Sequence, residues 1–449
     1  MRYHFIAIGG SAMHGLAIEL KKRGNDISGS DDEIFEPSYS RLKSYGLLPE
    51  KFGWFPEKIT KDLDAVIVGM HAKSDNPELL KAIELNLPIY SYPSFIYEHS
   101  KNKLRIVIAG SFAKTTITSI LIHVLKNLNY NFDFVVGSYI PNIENTISLS
   151  TNSSIIVIEG DEYPSAPFDK TPKFLHYKPN ILVITGIHWD HINTYPTFND
   201  YVLQFKKLIS TLTPDDYLIW NENDGILKEI INLTPAKKKP YKELPYKIIN
   251  GKWYINYDST TYEISLIGKH NIQNISAALE VCKYLNVNEN DFFKSVSTFT
   301  GAHKRLQKIY ESSNNIVFLD FAHSPIKVKE TIKAVKETYS DFYIIAGLEL
   351  FTYSSLQKNF LPNYKDTLNL ADKASVFINP DVLKLKRLPF IEKEYVINSF
   401  NRNDLSVFYS ANEFFYDLLK SPREKNIFLL MSSGNFSNFD IKEWVKKLK

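Results

Sequence analysis

Short apolar runs alternate along this chain with segments in which apolar residues recur every three or four positions. In the first hundred residues, the apolar runs predict strands over residues 3–8, 26–30, 65–69 and 88–91. A glycine-rich turn between Gly9 and Gly15 opens a predicted helix over residues 12–23. Strands that alternate with helices in this way are typical of a parallel sheet of the Rossmann type.

The same alternation continues over the rest of the chain. After a polar stretch that we interpret as a linker, at residues 99–103, strands are predicted over residues 154–158, 180–185 and 253–257, and a helix over 271–285. The last part predicts strands over residues 316–320, 342–346, 374–378 and 426–431, with helices over 326–338 and from Asp440 onward. A chain of 449 residues is expected to hold about three domains.

Residues 106–116 form the pattern with the clearest chemical meaning. An apolar, β-branched run ends at Gly110, and Lys114 and Thr115 follow before a helix that we expect to open at Ile117. A phosphate-binding loop at a strand-to-helix junction has this layout. Its lysine neutralises phosphate oxygens, and the hydroxyl that follows ligates Mg²⁺.

One position departs from this pattern. Ala113 stands where such loops have a glycine before the lysine, and alanine resists positive φ by roughly 1 kcal/mol or more. The alternative interpretation is an ordinary strand–turn–helix junction in which Lys114 is solvated.

Acidic and histidine side chains follow two further predicted strands. Glu159, Asp161 and Glu162 come directly after one of them, where a carboxylate could reach Mg²⁺; the alternative is a solvated acidic turn. Asp190 and His191 come just past the next, where the histidine could be a metal ligand held by a neighbouring carboxylate, or a structural residue. Because parallel strands end at one edge of a sheet, we expect these groups on the edge that carries the phosphate loop.

Two carboxamides offer a candidate for base recognition. Asn271 and Asn274 lie one turn apart at a predicted helix start, and each has the donor and acceptor that suit an adenine edge. The alternative is simple capping of the helix by Asn271. Arg305 and Asp320 lie near the second expected domain boundary and could close over a nucleotide.

Composition narrows the class of protein. The formal net charge is +3, with 53 basic and 50 acidic residues, which gives no nucleic-acid signature. The densest basic run, residues 237–239, is interpreted as a solvated loop. The single cysteine, Cys282, excludes an internal disulfide framework, fits a reducing compartment and is expected in a core. No apolar run approaches the ~18 residues that span a membrane, so a soluble cytoplasmic protein without nucleic-acid or membrane partners is expected.

Taken together and in this order, the motifs resemble the Mur ligase family, the ATP-dependent enzymes that form amide bonds in peptidoglycan assembly. The resemblance covers essentially the whole chain. The matching positions are residues 8–16, residues 110–116, Glu159, Asp190, His191, His270, Asn271, Arg305 and residues 320–325.

The resemblance implies an α/β fold of three domains. These are a Rossmann-like domain that binds a UDP-sugar at residues 1–102, a central ATP-binding domain with a parallel sheet at 103–306, and a Rossmann-like C-terminal domain that binds the incoming amine at 307–449. The implied cofactors are ATP and Mg²⁺. The implied partners are UDP-N-acetylmuramate and a small peptide or amino acid, and we expect a monomer or weak homodimer.

The resemblance also implies a set of site residues. The expected UDP-sugar-binding residues are Gly9, Gly10, Ser11, Ala12, Met13, Ser30, Asp31 and His71. The expected ATP-binding residues are Gly110, Ser111, Phe112, Ala113, Lys114, Thr115, Thr116, Asn271, Asn274, Arg305 and Asp320. The catalytic residues are Lys114, Glu159 and His191, and the metal ligands are Thr115, Glu159 and His191.

Two branches of the family compete as the specific function. One joins L-alanine to UDP-N-acetylmuramate, and the other joins a recovered L-alanyl-γ-D-glutamyl-meso-diaminopimelate tripeptide to the same sugar nucleotide. Residues 159–179, 348–355 and 430–434 resemble the tripeptide branch, which we favour. A third alternative is a degenerate homologue that binds UDP-sugars without catalysis.

Overall fold

The computed structural model describes residues 1–140, 143–420 and 423–448. The chain divides into two compact units. The first contains Met1–His188, Phe198–Lys242 and Ala277–Glu289, and the second contains Trp189–Thr197, Glu243–Ser276 and Asn290–Lys449. The domain boundaries expected after residues 102 and 306 stay a prediction.

The first part of the chain forms a parallel sheet with strand order β2-β1-β3-β4 among the described residues. Its elements are β1 (Arg2–Ile6), α1 (Ser11–Lys22), β2 (Asp26–Ser30), α2 (Ser38–Ser44), β3 (Ala65–Val68), α3 (Pro77–Glu84), β4 (Ile89–Ser91) and α4 (Tyr92–Ser100). Strand β1 ends before the predicted residue 8 because Ala7 turns the backbone with φ +65°. The predicted linker overlaps α4, a helix that is capped by Ser91 and buries Phe95 and Ile96.

The central sheet has the order β13-β12-β11-β5-β8-β6-β7 in the described part of the chain, and β7 alone is antiparallel to its neighbour. Its strands and helices are β5 (Leu104–Ala109), α5 (Lys114–Asn127), β6 (Asp133–Val135), β7 (Ile147–Ser148), β8 (Ile155–Glu159), α6 (Lys173–His176), β11 (Ile181–Ile184), α7 (Phe198–Ser210), β12 (Tyr217–Asn221), α8 (Gly225–Ile230) and β13 (Lys237–Tyr241), with the hairpin β9 (Pro164–Ala166) and β10 (Asp169–Pro172) between β8 and α6. Ile106, Val107 and Ile108 are fully buried, as expected of a central parallel strand covered on both faces.

Two expectations for this sheet are wrong. Helix α5 begins at Lys114 and not at Ile117, because the Ile117 amide already donates to the Ala113 carbonyl. Residues 237–239 are not a solvated loop, because their backbone pairs with β12 as the edge strand β13. Lysines and a proline are typical of edge strands, where they discourage pairing with another chain.

The second unit holds an antiparallel sheet of β14 (Tyr246–Ile249), β15 (Lys252–Tyr257) and β16 (Thr260–Ile264). Its larger sheet has the order β17-β18-β22-β19-β20-β21, with only β17 antiparallel among the described strands. The remaining elements of the chain are α9 (Lys269–Tyr284), α10 (Glu289–Ser297), β17 (Gln307–Glu311), β18 (Asn315–Asp320), α11 (Pro325–Thr338), β19 (Tyr343–Leu350), β20 (Lys373–Ile378), α12 (Pro380–Leu385), α13 (Lys393–Phe400), β21 (Ser406–Phe408), α14 (Ala411–Leu418), β22 (Asn426–Met431) and α15 (Ile441–Val445). Helix α9 passes from the second unit into the first after Ser276.

The larger sheet of the second unit buries a cluster on each face. Along β18, Ile316 and Phe318 join one cluster and Val317 joins the other, as the two-residue period of a strand requires. Strand β19 runs to Leu350, four residues beyond its predicted end, because Gly347–Leu350 stay paired with β20. The predicted α/β fold class, with its parallel sheets, is confirmed. Cys282 is buried, as predicted.

Candidate active site

The glycine-rich turn after β1 lies beside the end of β2. The Gly9 amide donates to Asp31 Oδ2 at 2.7 Å, and a Cβ on Gly9 would lie 2.9 Å from the same oxygen. Asp31 is buried, and this burial raises the pKa of its carboxyl group. Ser30 ends β2, and His71 is exposed just past β3, so the predicted UDP-sugar residues follow three neighbouring strands. Ser11, Ala12 and Met13 open α1 from this turn.

The loop between β5 and α5 has the backbone that its sequence predicts. Gly110 has φ +126°, and a Cβ there would lie 2.0 Å from Thr185 Oγ1, so this position requires glycine. Ala113 has φ +60° and ψ −9°, which is the left-handed conformation that a glycine would adopt more easily. Ala113 therefore stores strain immediately before Lys114.

Lys114 is partly buried, with 13% of its side chain exposed, and it is already paired. Its Nζ donates to the Gly110 carbonyl and to Glu162 Oε2, both at 2.6 Å. Burial alone would lower the pKa of Lys114, but Glu162, Asp161 and Glu159 outweigh it and raise the pKa above its usual value. The ammonium group is therefore charged at neutral pH. The alternative of a solvated lysine is wrong, and the acidic residues after β8 are not a solvated turn.

Thr115 and Glu159 form a second pair at this loop. Thr115 Oγ1 donates to Glu159 Oε1 at 2.7 Å, and the Gly137 amide donates to Glu159 Oε2 at 2.7 Å. Two cis ligands of an octahedral Mg²⁺ ion lie about 3.0 Å apart, since each metal–oxygen bond is about 2.1 Å. A hydroxyl and a carboxylate at this spacing fit such an ion.

A buried network holds Glu162 in place. Tyr201 Oη, from α7, donates to Glu162 Oε1 at 3.0 Å and lies 2.9 Å from Ser111 Oγ. Ser111 Oγ in turn accepts from the His188 amide at 2.8 Å. Sequence reasoning missed Tyr201, because a tyrosine on an amphipathic helix carries no signal that its hydroxyl reaches an active site. It included Glu162 only as one of three acidic candidates.

Phe112 packs on Gly186, the residue after Thr185. A Cβ on Gly186 would lie 2.6 Å from Phe112 Cζ and 3.0 Å from Asp224 Oδ2. Thr185 Oγ1 donates to the Phe112 carbonyl at 2.6 Å, and the Phe112 ring centroid lies 5.4 Å from that of His188. The loop path is thus fixed by contacts within the chain, and any side chain at position 186 would displace Phe112.

Asp190 and His191 belong to the second unit, whereas Thr115 and Glu159 belong to the first. The His191 amide donates to Asp190 Oδ1 at 2.8 Å, and Lys327 Nζ lies 4.0 Å from Asp190 Oδ2. Burial would raise the pKa of Asp190, but His191, Lys327 and His323 outweigh it and hold the pKa well below its usual value. The role of His191 as a metal ligand stays a prediction.

The remaining predicted ATP residues also lie in the second unit. Asn274 Nδ2 donates to Asn271 Oδ1 at 3.1 Å, and Asn271 Nδ2 donates to the Ile267 carbonyl at 2.8 Å. Asn271 is the third residue of α9 and its side chain donates there, so it is not the helix N-cap. Asp320 Oδ1 accepts from the Ala322 amide at 2.6 Å, and its pKa is raised by burial despite the charge of Arg305.

Two family models match the chain. The Mur ligase family catalytic domain matches residues 2–104, and the Mur ligase middle domain matches residues 108–282. The chain belongs to the Mur ligase family, and it is an ATP-dependent ligase that forms amide bonds in peptidoglycan synthesis. Relatives of this chain are named as ligases that join L-alanine or a peptide to UDP-N-acetylmuramate.

Similar proteins come from both branches of the family. A UDP-N-acetylmuramate–L-alanyl-γ-D-glutamyl-meso-2,6-diaminoheptandioate ligase of Escherichia coli is 28% identical over 75% of this chain and 76% of its own length. A UDP-N-acetylmuramate–L-alanine ligase of Caldicellulosiruptor bescii is 29% identical over 84% of this chain and 83% of its own.

Solved structures share the fold over the whole chain. A murein peptide ligase from Psychrobacter arcticus has a TM-score of 0.69 at 21% identity and covers 100% of this chain and 98% of its own. A UDP-N-acetylmuramate–alanine ligase from Thermotoga maritima has a TM-score of 0.73 at 20% identity, over 100% and 99% of the two chains. Within the described residues, no helix has the length and apolar character needed to cross a membrane.

Proposed function

We propose that this ligase joins the L-alanyl-γ-D-glutamyl-meso-diaminopimelate tripeptide to UDP-N-acetylmuramate, using ATP and Mg²⁺. The main observation in support of this chemistry is a pair of contacts at the phosphate loop: Lys114 forms an ion pair with Glu162, and Thr115 donates a hydrogen bond to Glu159. In this proposal the loop holds the ATP phosphates, and the turn at Gly9 holds the diphosphate of the sugar nucleotide.

The reaction proceeds through an acyl phosphate. A carboxylate oxygen of the muramoyl group attacks the γ-phosphorus of ATP, and ADP leaves. The amine of the tripeptide then attacks the activated carbonyl carbon; phosphate leaves, the amine loses a proton, and an amide forms. Phosphoryl transfer of this kind depends on positioning and charge neutralisation more than on covalent help from the protein.

The chain's own residues supply that positioning. Lys114 neutralises charge on the transferred phosphoryl group, and the backbone amides at the start of α5 bind phosphate oxygens. Thr115 and Glu159 are proposed as Mg²⁺ ligands, with His191 as a further ligand on the strength of the family resemblance. Mg²⁺ bound there would neutralise the developing charge between carboxylate and phosphate.

The choice of the tripeptide rests on sequence. Residues 159–179, 348–355 and 430–434 resemble the tripeptide branch, and the E. coli relative carries that activity in its name. The second candidate is an L-alanine ligase, which the C. bescii relative favours at similar identity. We also retain the expectation of a cytoplasmic monomer or weak homodimer.

Phosphate release from ATP decides between the two branches. The purified chain is incubated with Mg²⁺, UDP-N-acetylmuramate and either L-alanine or the tripeptide, with Lys114→Ala as the inactive control. We expect release and a new amide product with the tripeptide only. Turnover with L-alanine alone would replace the proposal by the second candidate.

A Mg²⁺ titration tests the proposed ligands. Glu159→Ala and His191→Ala should each raise the Mg²⁺ concentration needed for half-maximal turnover and slow acyl-phosphate formation. Lys206→Ala, at an exposed position of α7, serves as the matched control. Unchanged Mg²⁺ dependence in both Glu159→Ala and His191→Ala would show that these side chains are structural and do not bind the metal.

A further inference from the structure

A second lysine lies on the acidic turn that follows β8. Lys173 is the first residue of α6, and its Nζ donates to Asp161 Oδ2 at 2.7 Å. Of the two side chains, 21% of Lys173 and 36% of Asp161 are exposed. Because both groups are partly withdrawn from solvent, salt screens their attraction less than that of two fully exposed ions.

The backbone around this ion pair is held by contacts that do not involve either charged group. The Lys173 amide donates to the Tyr163 carbonyl at 3.0 Å, and the Phe174 amide donates to the Asp161 carbonyl at 3.1 Å. Phe174 is fully buried, and its Cβ would lie 3.3 Å from a Cβ added to Gly160. A change of the Lys173 or Asp161 side chain should therefore leave the path of the turn and the start of α6 in place.

The charge of Asp161 acts on the phosphate loop. Burial would lower the pKa of Lys114, and the carboxylates that raise it are first Glu162, then Asp161 and then Glu159. Glu162 pairs directly with Lys114 at 2.6 Å, whereas Asp161 pairs with Lys173. A carboxylate that stabilises the Lys114 ammonium group also repels a phosphate bound beside that group, because both effects come from the same negative charge.

We propose that Lys173 is a positioning residue of the ATP site, which neutralises Asp161 so that the acidic turn does not repel the triphosphate. The turn carries the carboxylates Glu159, Asp161 and Glu162, and two of these three pair with lysines in the described structure. Lys173 acts through Asp161 and not by contact with the nucleotide. The inference rests on the proposed function, because it takes the loop at residues 110–116 to hold the ATP phosphates.

A double-mutant cycle, read by calorimetric titration with ATP and Mg²⁺, tests this role. Lys173→Met leaves Asp161 without its lysine and should raise the Kd for ATP about tenfold. Asp161→Asn should bind ATP at least as tightly as the parent. The double variant should return to within about twofold of the parent, because the charge that needed compensation is gone. The Kd for UDP-N-acetylmuramate should stay within about twofold throughout.

Further measurements separate charge from structure. Lys173→Arg keeps the cation and should retain the Kd for ATP within about threefold. Lys170→Met removes an exposed lysine of the neighbouring strand β10 and should change nothing. Raising KCl from about 0.05 M to about 0.5 M should shrink the difference between Lys173→Met and the parent, which a purely structural role would not predict. Thermal unfolding of each variant shows whether it folds.

The outcomes distinguish this inference from the function on which it rests. If the parent does not bind ATP, or binds it no better than Lys114→Ala, the loop does not hold the phosphates and both proposals fall. If Lys114→Ala loses ATP binding but folded Lys173→Met keeps the Kd of the parent, only the inference about Lys173 is overturned. A double variant as weak as Lys173→Met would show that Lys173 does not act through Asp161, which also overturns it.

Discussion

Ala113→Gly is expected to stabilise the phosphate loop and to leave ATP affinity nearly unchanged. The φ of +60° at Ala113 costs an alanine roughly 1–2 kcal/mol, which glycine does not incur. Glycine also raises the conformational entropy of the unfolded chain, which lowers the free energy of unfolding by about 0.4–1 kcal/mol. The net gain in local stability is therefore about 0–1.6 kcal/mol, at most about a fifteenfold change in an equilibrium constant.

The contacts of the loop explain why this gain should not appear as tighter ATP binding. The Phe112 carbonyl accepts from Thr185 Oγ1 at 2.6 Å and from the Lys114 amide at 2.8 Å, and the Ile117 amide donates to Ala113 at 3.0 Å. These bonds set the left-handed turn from within the chain. Because the strain is then common to the free and the ATP-bound loop, it cancels from the binding free energy.

Hydrogen exchange of the first turn of α5 and calorimetric titration with ATP measure the two quantities separately. We expect exchange at residues 115–117 to slow by up to about fifteenfold and the Kd for ATP to stay within about twofold. Ala12→Gly, in the second position of α1, is the matched control and should lose up to about 1 kcal/mol of local stability.

Two results would refute this reasoning. Faster exchange in Ala113→Gly would mean that the loop does not hold position 113 in the left-handed region. A fivefold or greater gain in ATP affinity would mean that ATP itself imposes the turn, so that the contacts from Thr185 do not fix it.

Three further changes test other parts of the molecule. Lys114→Ala should abolish ligation while calorimetry finds UDP-sugar affinity within twofold; turnover within tenfold of the parent would contradict its role. Gly186→Ala should destabilise the loop by about 1–3 kcal/mol through overpacking against Phe112, and Phe112→Ala should relieve much of that loss in the double variant; purely additive losses in chemical denaturation would argue against the contact. Burial lowers the pKa of His270 to about 4, so the unfolded chain takes up this proton first as pH falls from 6.5. Stability should fall by up to about 3 kcal/mol between pH 6.5 and 4, and His270→Gln should flatten that slope; an equal slope in both proteins would show that His270 is not buried in its neutral form.

Much of the fold could be predicted because parallel strands are buried on both faces. The run at 426–431 was predicted at its observed bounds, since five apolar residues follow Asn426 and all six residues are buried in β22. Residues 237–239 were mispredicted because an edge strand is defined by its pairing to β12, which three lysines do not signal. The spacing of apolar residues reflects which side chains are buried. An exposed edge strand buries few side chains, so its sequence shows little of this pattern.

The site could be predicted only in part, for a related reason. Lys114, Thr115 and Glu159 follow strand ends and carry a local signal. Tyr201 has none, because its hydroxyl matters only through the Glu162 carboxylate that the fold brings beside it. A hydroxyl group gains such a role from its neighbours in space, and those neighbours are distant in sequence.

The pairing of Lys114 with Glu162 has a consequence for how charge is distributed in the site. A buried lysine without a counter-ion would tend to lose its proton, whereas Glu162, fixed by Tyr201, keeps Lys114 charged. The same carboxylate partly cancels the attraction of Lys114 for a triphosphate. In the proposed function, Glu162 contributes a negative charge beside the loop, so neutralising the ATP phosphates would depend more heavily on a cation held by Thr115 and Glu159. ATP binding by this loop and its need for Mg²⁺ would then be two aspects of one charge balance.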